Sequence, residues 1–78
     1  MTPAGPVATP DFLLRGEHIT LDALLKASGI ATSGGEAKRL IADGTVQVNG
    51  LAEARRGRKL RAGDEVVVGA ARVRVSGG

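Results

Sequence analysis

Seventy-eight residues leave room for one small domain and a short tail, with a stability of about 3–5 kcal/mol expected on size alone. Hydrophobic residues make up 42%, enough for a compact core and too many for a wholly disordered chain; Phe12 is the only aromatic, so the core must be aliphatic. The formal charge is +3, eleven basic residues against eight acidic, a mild excess whose distribution matters more than its total.

What is missing excludes several classes of protein. Without cysteine there are no disulfides and no thiolate metal sites. No apolar run approaches the ~20 residues that a membrane helix needs, and the N-terminus lacks a basic stretch followed by an apolar one, so no signal peptide is read. A soluble, cytoplasmic protein with no membrane partner is the expectation.

Residues 1–11 hold all three prolines (Pro3, Pro6 and Pro10) and show no apolar periodicity, which predicts a flexible tail. Phe12, Leu13 and Leu14 then form a short apolar run, read as an edge strand. The first helix is expected over about Leu21 to Ser28, with Thr20 as N-cap and Asp22 placing negative charge in the first turn. Leu21, Leu24 and Leu25 form its apolar stripe, Ile19 is placed to staple onto Leu24, and Gly29 is its stop.

The second helix opens with Ser33-Gly34-Gly35-Glu36, the spacing of a capping box. Ala37, Leu40 and Ile41 face inward, Lys38 and Arg39 fall toward solvent, and Gly44 supplies the stop. From Thr45 the apolar period changes to two. Val46 and Val48 make a strand, and Asn49-Gly50 is a strong hairpin turn. Gly63-Asp64 marks another turn before Val66-Val67-Val68. Arg72-Val73-Arg74-Val75 reads as a last strand with its valines inward. The fold class that follows is α+β: two short N-terminal helices packed on a small, mostly antiparallel sheet. One domain spans residues 12–76, with residues 77–78 as a flexible end.

Between the hairpin and the Gly63-Asp64 turn lie Arg55, Arg56, Arg58, Lys59 and Arg61, with no acidic residue among them. Such clustering is the electrostatic footprint of a polyanion binder, and a solvated loop is the plain alternative. Catalytic chemistry is hard to assemble from the remainder. His18 is the single histidine and reads as a surface residue beside Glu17, the carboxylates are scattered or used in caps, and no phosphate-binding loop is present. No enzyme activity, cofactor or metal is expected. One phenylalanine also cannot build the aromatic platforms on which many nucleic-acid folds stack bases. Any nucleic acid would be held by charge, backbone hydrogen bonds and shape.

From Thr20 to Asn49 the chain reads TLDALLKASGIATSGGEAKRLIADGTVQVN. It resembles the S-four RNA-binding domain, or alpha-L motif, named after a small-subunit ribosomal protein and found also in tRNA synthetases, pseudouridine synthases and a heat-shock protein. The resemblance rests on Leu21-Asp22, Leu24-Leu25, Gly29, Ser33, Glu36-Ala37, Lys38, Leu40-Ile41, Gly44 and the Val46-x-Val48-Asn49-Gly50 ending, and it is nearest the small stand-alone bacterial members. It implies RNA binding by the two helices and the hairpin, with Ser33, Lys38, Arg39 and Asn49 at positions of the RNA surface. Ribosomal RNA or tRNA is the implied partner and a monomer the implied state. Members often carry Arg at the positions of Thr20, Gly34 and Gly35, and the Arg55–Arg61 cluster is placed to compensate for those missing charges.

Two readings compete. The chain ends Ser76-Gly77-Gly78, and small β-grasp sulfur carriers also end in Gly-Gly; a β-grasp fold, however, opens with a hairpin and uses one main helix. A basic protein-interaction module with an acidic partner is the other. RNA binding is the favoured reading.

Overall fold

In the computed structural model residues 11–77 are described. The two apolar periods of the sequence become two layers. Helices α1 (Leu21–Ala27) and α2 (Gly34–Ala42) lie against a five-stranded sheet formed by β1 (Asp11–Leu14), β3 (Val46–Val48), β4 (Leu51–Ala52), β6 (Glu65–Val68) and β7 (Ala71–Gly77). Spatial order in this sheet is β1-β7-β6-β3-β4. Its pairings are antiparallel except that β1 runs parallel to β7. A separate two-stranded ladder joins β2 (Ile19–Thr20) to β5 (Lys59–Leu60). This is the expected α+β arrangement, with β1 at the sheet edge.

Strand register sorts the side chains. Val46, Val48, Val66, Val73 and Val75 all point inward and are buried. They join Leu14, Leu60, Ala31 and the helix residues Leu21, Leu24, Leu25, Ala37 and Ile41 in one aliphatic cluster. Ile19 and Phe12 pack on its margin. Arg72 and Arg74 face outward, as the alternation requires.

The helix ends depart from the sequence reading in an informative way. Thr20 occupies the N-cap position of α1, but its side chain makes no capping hydrogen bond. Instead the Leu21 N–H donates to the Arg58 carbonyl at 2.9 Å and the Asp22 N–H donates to the Arg56 carbonyl at 3.1 Å. Orphan donors that a side chain would otherwise satisfy are taken by a distant loop. At α2 the Ser33 hydroxyl accepts from the Glu36 N–H at 3.1 Å, which is half of a capping box. Glu36 does not return to Ser33. One of its oxygens accepts from both the Thr32 N–H (2.6 Å) and the Thr32 hydroxyl (3.0 Å), two converging donors where Ser33 offers one.

Both ends of the domain reach one residue further than expected. Asp11, placed in the tail, is the first residue of β1, and Gly77, placed in the flexible end, closes β7 opposite Leu14. The rest of the tail and Gly78 lie outside the described residues. Two helices precede the hairpin here, an order that a β-grasp carrier does not have.

Gly44 ends α2 at φ 79°, and the hairpin turn has φ 53° at Asn49 and 86° at Gly50, both positive as a type I′ turn requires. Gly44→Val is therefore expected to lower stability by about 1–3 kcal/mol, because a β-branched residue is strained there. Gly34 lies in the first turn of α2 with open space where a Cβ would stand. Gly34→Ala is expected to raise stability by up to about 1 kcal/mol. Thermal midpoints should move in opposite directions, by about 4–8 °C per kcal/mol.

Candidate nucleic-acid interface

The basic segment has little regular structure of its own, yet it is tied down at both ends. Its carbonyls at Arg56 and Arg58 cap α1, and Lys59 pairs with Thr20 in the β2–β5 ladder. A tight turn closes it internally, with the Arg58 N–H donating to the Arg55 carbonyl at 3.2 Å. At its far end the Arg61 N–H donates to Asp64 Oδ2 at 2.8 Å. Helix α1 then packs on α2, so the basic loop and α2 share one intermediary.

Glu53 is the residue that the charge reading of the sequence missed. It lies two residues before the cluster and is the one buried charged residue among those described. Arg55 forks onto it, Nε to Oε2 at 3.1 Å and Nη2 to Oε1 at 3.4 Å. Arg58 Nη1 donates to Oε1 at 2.7 Å, and the Arg55 N–H donates to Oε2 at 3.1 Å. These donors hold the Glu53 carboxyl well below its ordinary value, at about 2, with the Arg55 guanidinium the largest cause, then Arg58 and the Arg55 backbone. The pair is asymmetric: the Glu53 side chain is 9% exposed and that of Arg55 76%. Its signal in the sequence was an acidic residue within reach of Arg55 and Arg58, hidden because the acid-free run was counted from Arg55.

The remaining expected residues fall into three groups. Arg56, Lys59 and Arg61 are exposed, and among the described residues their side chains form no ion pair. Lys38 and Arg39 are likewise exposed and unpaired, on the face of α2 opposite Ala37 and Ile41. Ser33 and Asn49 carry structural duties. The Ser33 hydroxyl caps α2 and retains its own proton for a ligand. The Asn49 amide is used on both sides: Nδ2 donates to Asp64 Oδ1 at 3.0 Å, and Oδ1 accepts from the Glu65 N–H at 2.9 Å. Asp64 thereby joins the hairpin tip to the end of the basic segment.

Arg55, Gly57, Arg58 and Lys59 line one open concavity. No group of three or more potential metal ligands occurs among the described residues. The residues assembled here are donors of charge and hydrogen bonds, suited to holding an anion.

The S4 domain model matches residues 12–76, and the chain belongs to that family. Twenty-five solved chains match it. One is YbcJ from E. coli, 34% identical over 97% of this chain and 95% of that one, with a TM-score of 0.69. The YbcJ solution structure is described as revealing an alfaL motif involved in RNA-binding. No curated protein sequence matches.

The lowered Glu53 value has a defined consequence for stability. A carboxylate whose folded-state value is depressed stabilises the fold above the ordinary carboxylate range and loses that contribution as pH falls toward its folded value. Parent protein should therefore exceed Glu53→Gln in stability by a constant margin above about pH 5. The margin should shrink below that and be lost as pH falls through about 2, where Glu53 itself protonates. Denaturant melts across this range, with NMR titration of the Glu53 carboxyl, test it directly.

Proposed function

We propose that this chain is a non-catalytic RNA-binding protein that grips structured RNA, ribosomal RNA or tRNA, by its phosphate backbone. It would act as a monomer in the cytoplasm. The gripping surface comprises the solvent face of α2, the β3–β4 hairpin and the basic loop between β4 and β5. Membership of the S4 domain family and the likeness to YbcJ support an RNA ligand. The observation that carries the mechanism is the docking of the basic loop on α1, which holds a dense run of positive charge in a fixed place. Asn49 serves the surface indirectly, by fixing the hairpin against the Asp64 turn.

The structure also decides which residues give a clean test. Removing Arg55 and Arg58 would strand the buried Glu53 carboxylate and confuse binding with folding. Arg56, Lys59 and Arg61 have no such partner among the described residues. With about four phosphates neutralised, binding of end-labelled total tRNA or ribosomal RNA should weaken roughly a hundredfold between about 50 and 200 mM salt. Arg56→Ser with Lys59→Ser and Arg61→Ser should weaken binding further and lower the salt slope by about one per lost contact, at an unchanged thermal midpoint. Lys38→Glu with Arg39→Glu should do the same from the α2 side. A salt-independent complex would overturn the phosphate grip.

A further inference from the structure

A guanidinium carries five N–H donors. Arg55 spends two of its side-chain donors on Glu53 and Arg58 spends one, leaving Arg55 Nη1 and Arg58 Nε and Nη2 without an acceptor among the described residues. The Lys59 ammonium beside them also forms no ion pair among the described residues. These three side chains wall an open concavity of about 470 Å³ that Gly57 also lines. Glu53 is a buried counter-charge shared by the two guanidiniums, which would otherwise repel each other.

We infer that this concavity is a socket for a single phosphate group of the bound RNA, and that Glu53 is its positioning residue. The inference rests on the RNA reading above and adds to it where one phosphate sits and why an acidic residue belongs in a polyanion-binding surface. The chemistry is that of converging, charge-assisted N–H donors on a tetrahedral oxyanion. The carboxylate neutralises one charge of three and in return restrains the two arginines before any ligand arrives. Gly57 lines the concavity, a Cβ built there meets no heavy atom within 4 Å, and its backbone is not in the left-handed region, so a large side chain is tolerated by the fold at the edge of the socket.

Two substitutions test this, with end-labelled total tRNA as the probe. Gly57→Leu should bind roughly tenfold more weakly, with the salt slope lower by about one and the thermal midpoint unchanged. Glu53→Gln removes a negative charge and so raises the net charge by one, for which simple electrostatics predicts tighter binding; a positioning role predicts roughly tenfold weaker binding. Combined, the two should weaken binding little more than either alone, because both act through one phosphate, whereas a merely structural role for Glu53 gives additive losses. Should Glu53→Gln fail to fold, Arg55→Lys with Arg58→Lys keeps the charge and breaks the fork, and weaker binding is again expected. If the parent chain binds tRNA but Gly57→Leu binds equally well, the socket is wrong. If Glu53→Gln binds more tightly than the parent, the positioning role is wrong. A parent chain that does not bind RNA overturns the functional reading itself, and this inference with it.

Discussion

Two backbone hydrogen bonds, from the N-terminal N–H groups of α1 to the carbonyls of Arg56 and Arg58, hold the molecule's working parts together. A seven-residue helix is too short to persist alone, and its unsatisfied N-terminal donors must find acceptors. Here the acceptors come from the segment richest in positive charge. The same contact that completes α1 therefore immobilises the basic loop, and the β2–β5 ladder seals it by burying Leu60 beneath. Folding and charge placement are one event. A loop of five cations left to itself would spread; anchored in this way, it presents them together.

For the proposed phosphate grip, the anchoring makes much of a small charge excess. The net charge is only +3. On the outer face of the sheet, however, cations are matched by register: Asp11 and Glu65 flank Arg74 on neighbouring strands, and Glu65 also lies 3.9 Å from Arg72. Opposite charges at cross-strand positions attract weakly and leave little net field. The basic loop carries five cations against Glu53 and Asp64, whereas Lys38 and Arg39 on α2 share that helix with Glu36 and its C-cap Asp43. The uncompensated charge is thus concentrated on the basic loop. With Phe12 packed at the margin of the core, no aromatic among the described residues offers bases a stacking platform. Contacts made by such a surface fix position on a backbone and carry little base information.

Periodicity made most of the fold legible. The Leu21/Leu24/Leu25 stripe, the Ser33 cap, the valine alternation and the Asn49-Gly50 turn are local signals, and each became the element it indicated. What sequence could not show was contact across distance. The failure of Thr20 to cap α1 depends on carbonyls more than thirty residues away, which are satisfactory acceptors only after the β2–β5 pair has formed. The parallel pairing of β1 with β7, which draws Asp11 and Gly77 into the sheet, is non-local in the same sense. At the interface, charge density picked out the cluster, but density is blind to pairing. Asn49, exposed at a surface position of the family pattern, also makes hydrogen bonds to Asp64 and Glu65 that no local signal announced.

Glu53 shows why counting charges and locating them lead to different conclusions. By composition it subtracts from an anion-binding surface. By position it does the opposite. An exposed arginine has many rotamers and loses that freedom when it grips a ligand, a cost comparable to the hydrogen bonds it gains. A buried carboxylate that already holds Arg55 and Arg58 has met much of that cost during folding, from interactions that also keep itself ionised. The field of one charge is exchanged for the preorganisation of two. Since exposed charges are screened within about 10 Å at moderate salt while geometry is not, the exchange gains value as salt rises. Under the proposed phosphate grip, a small basic domain without aromatic anchors has few other means of holding RNA at such salt.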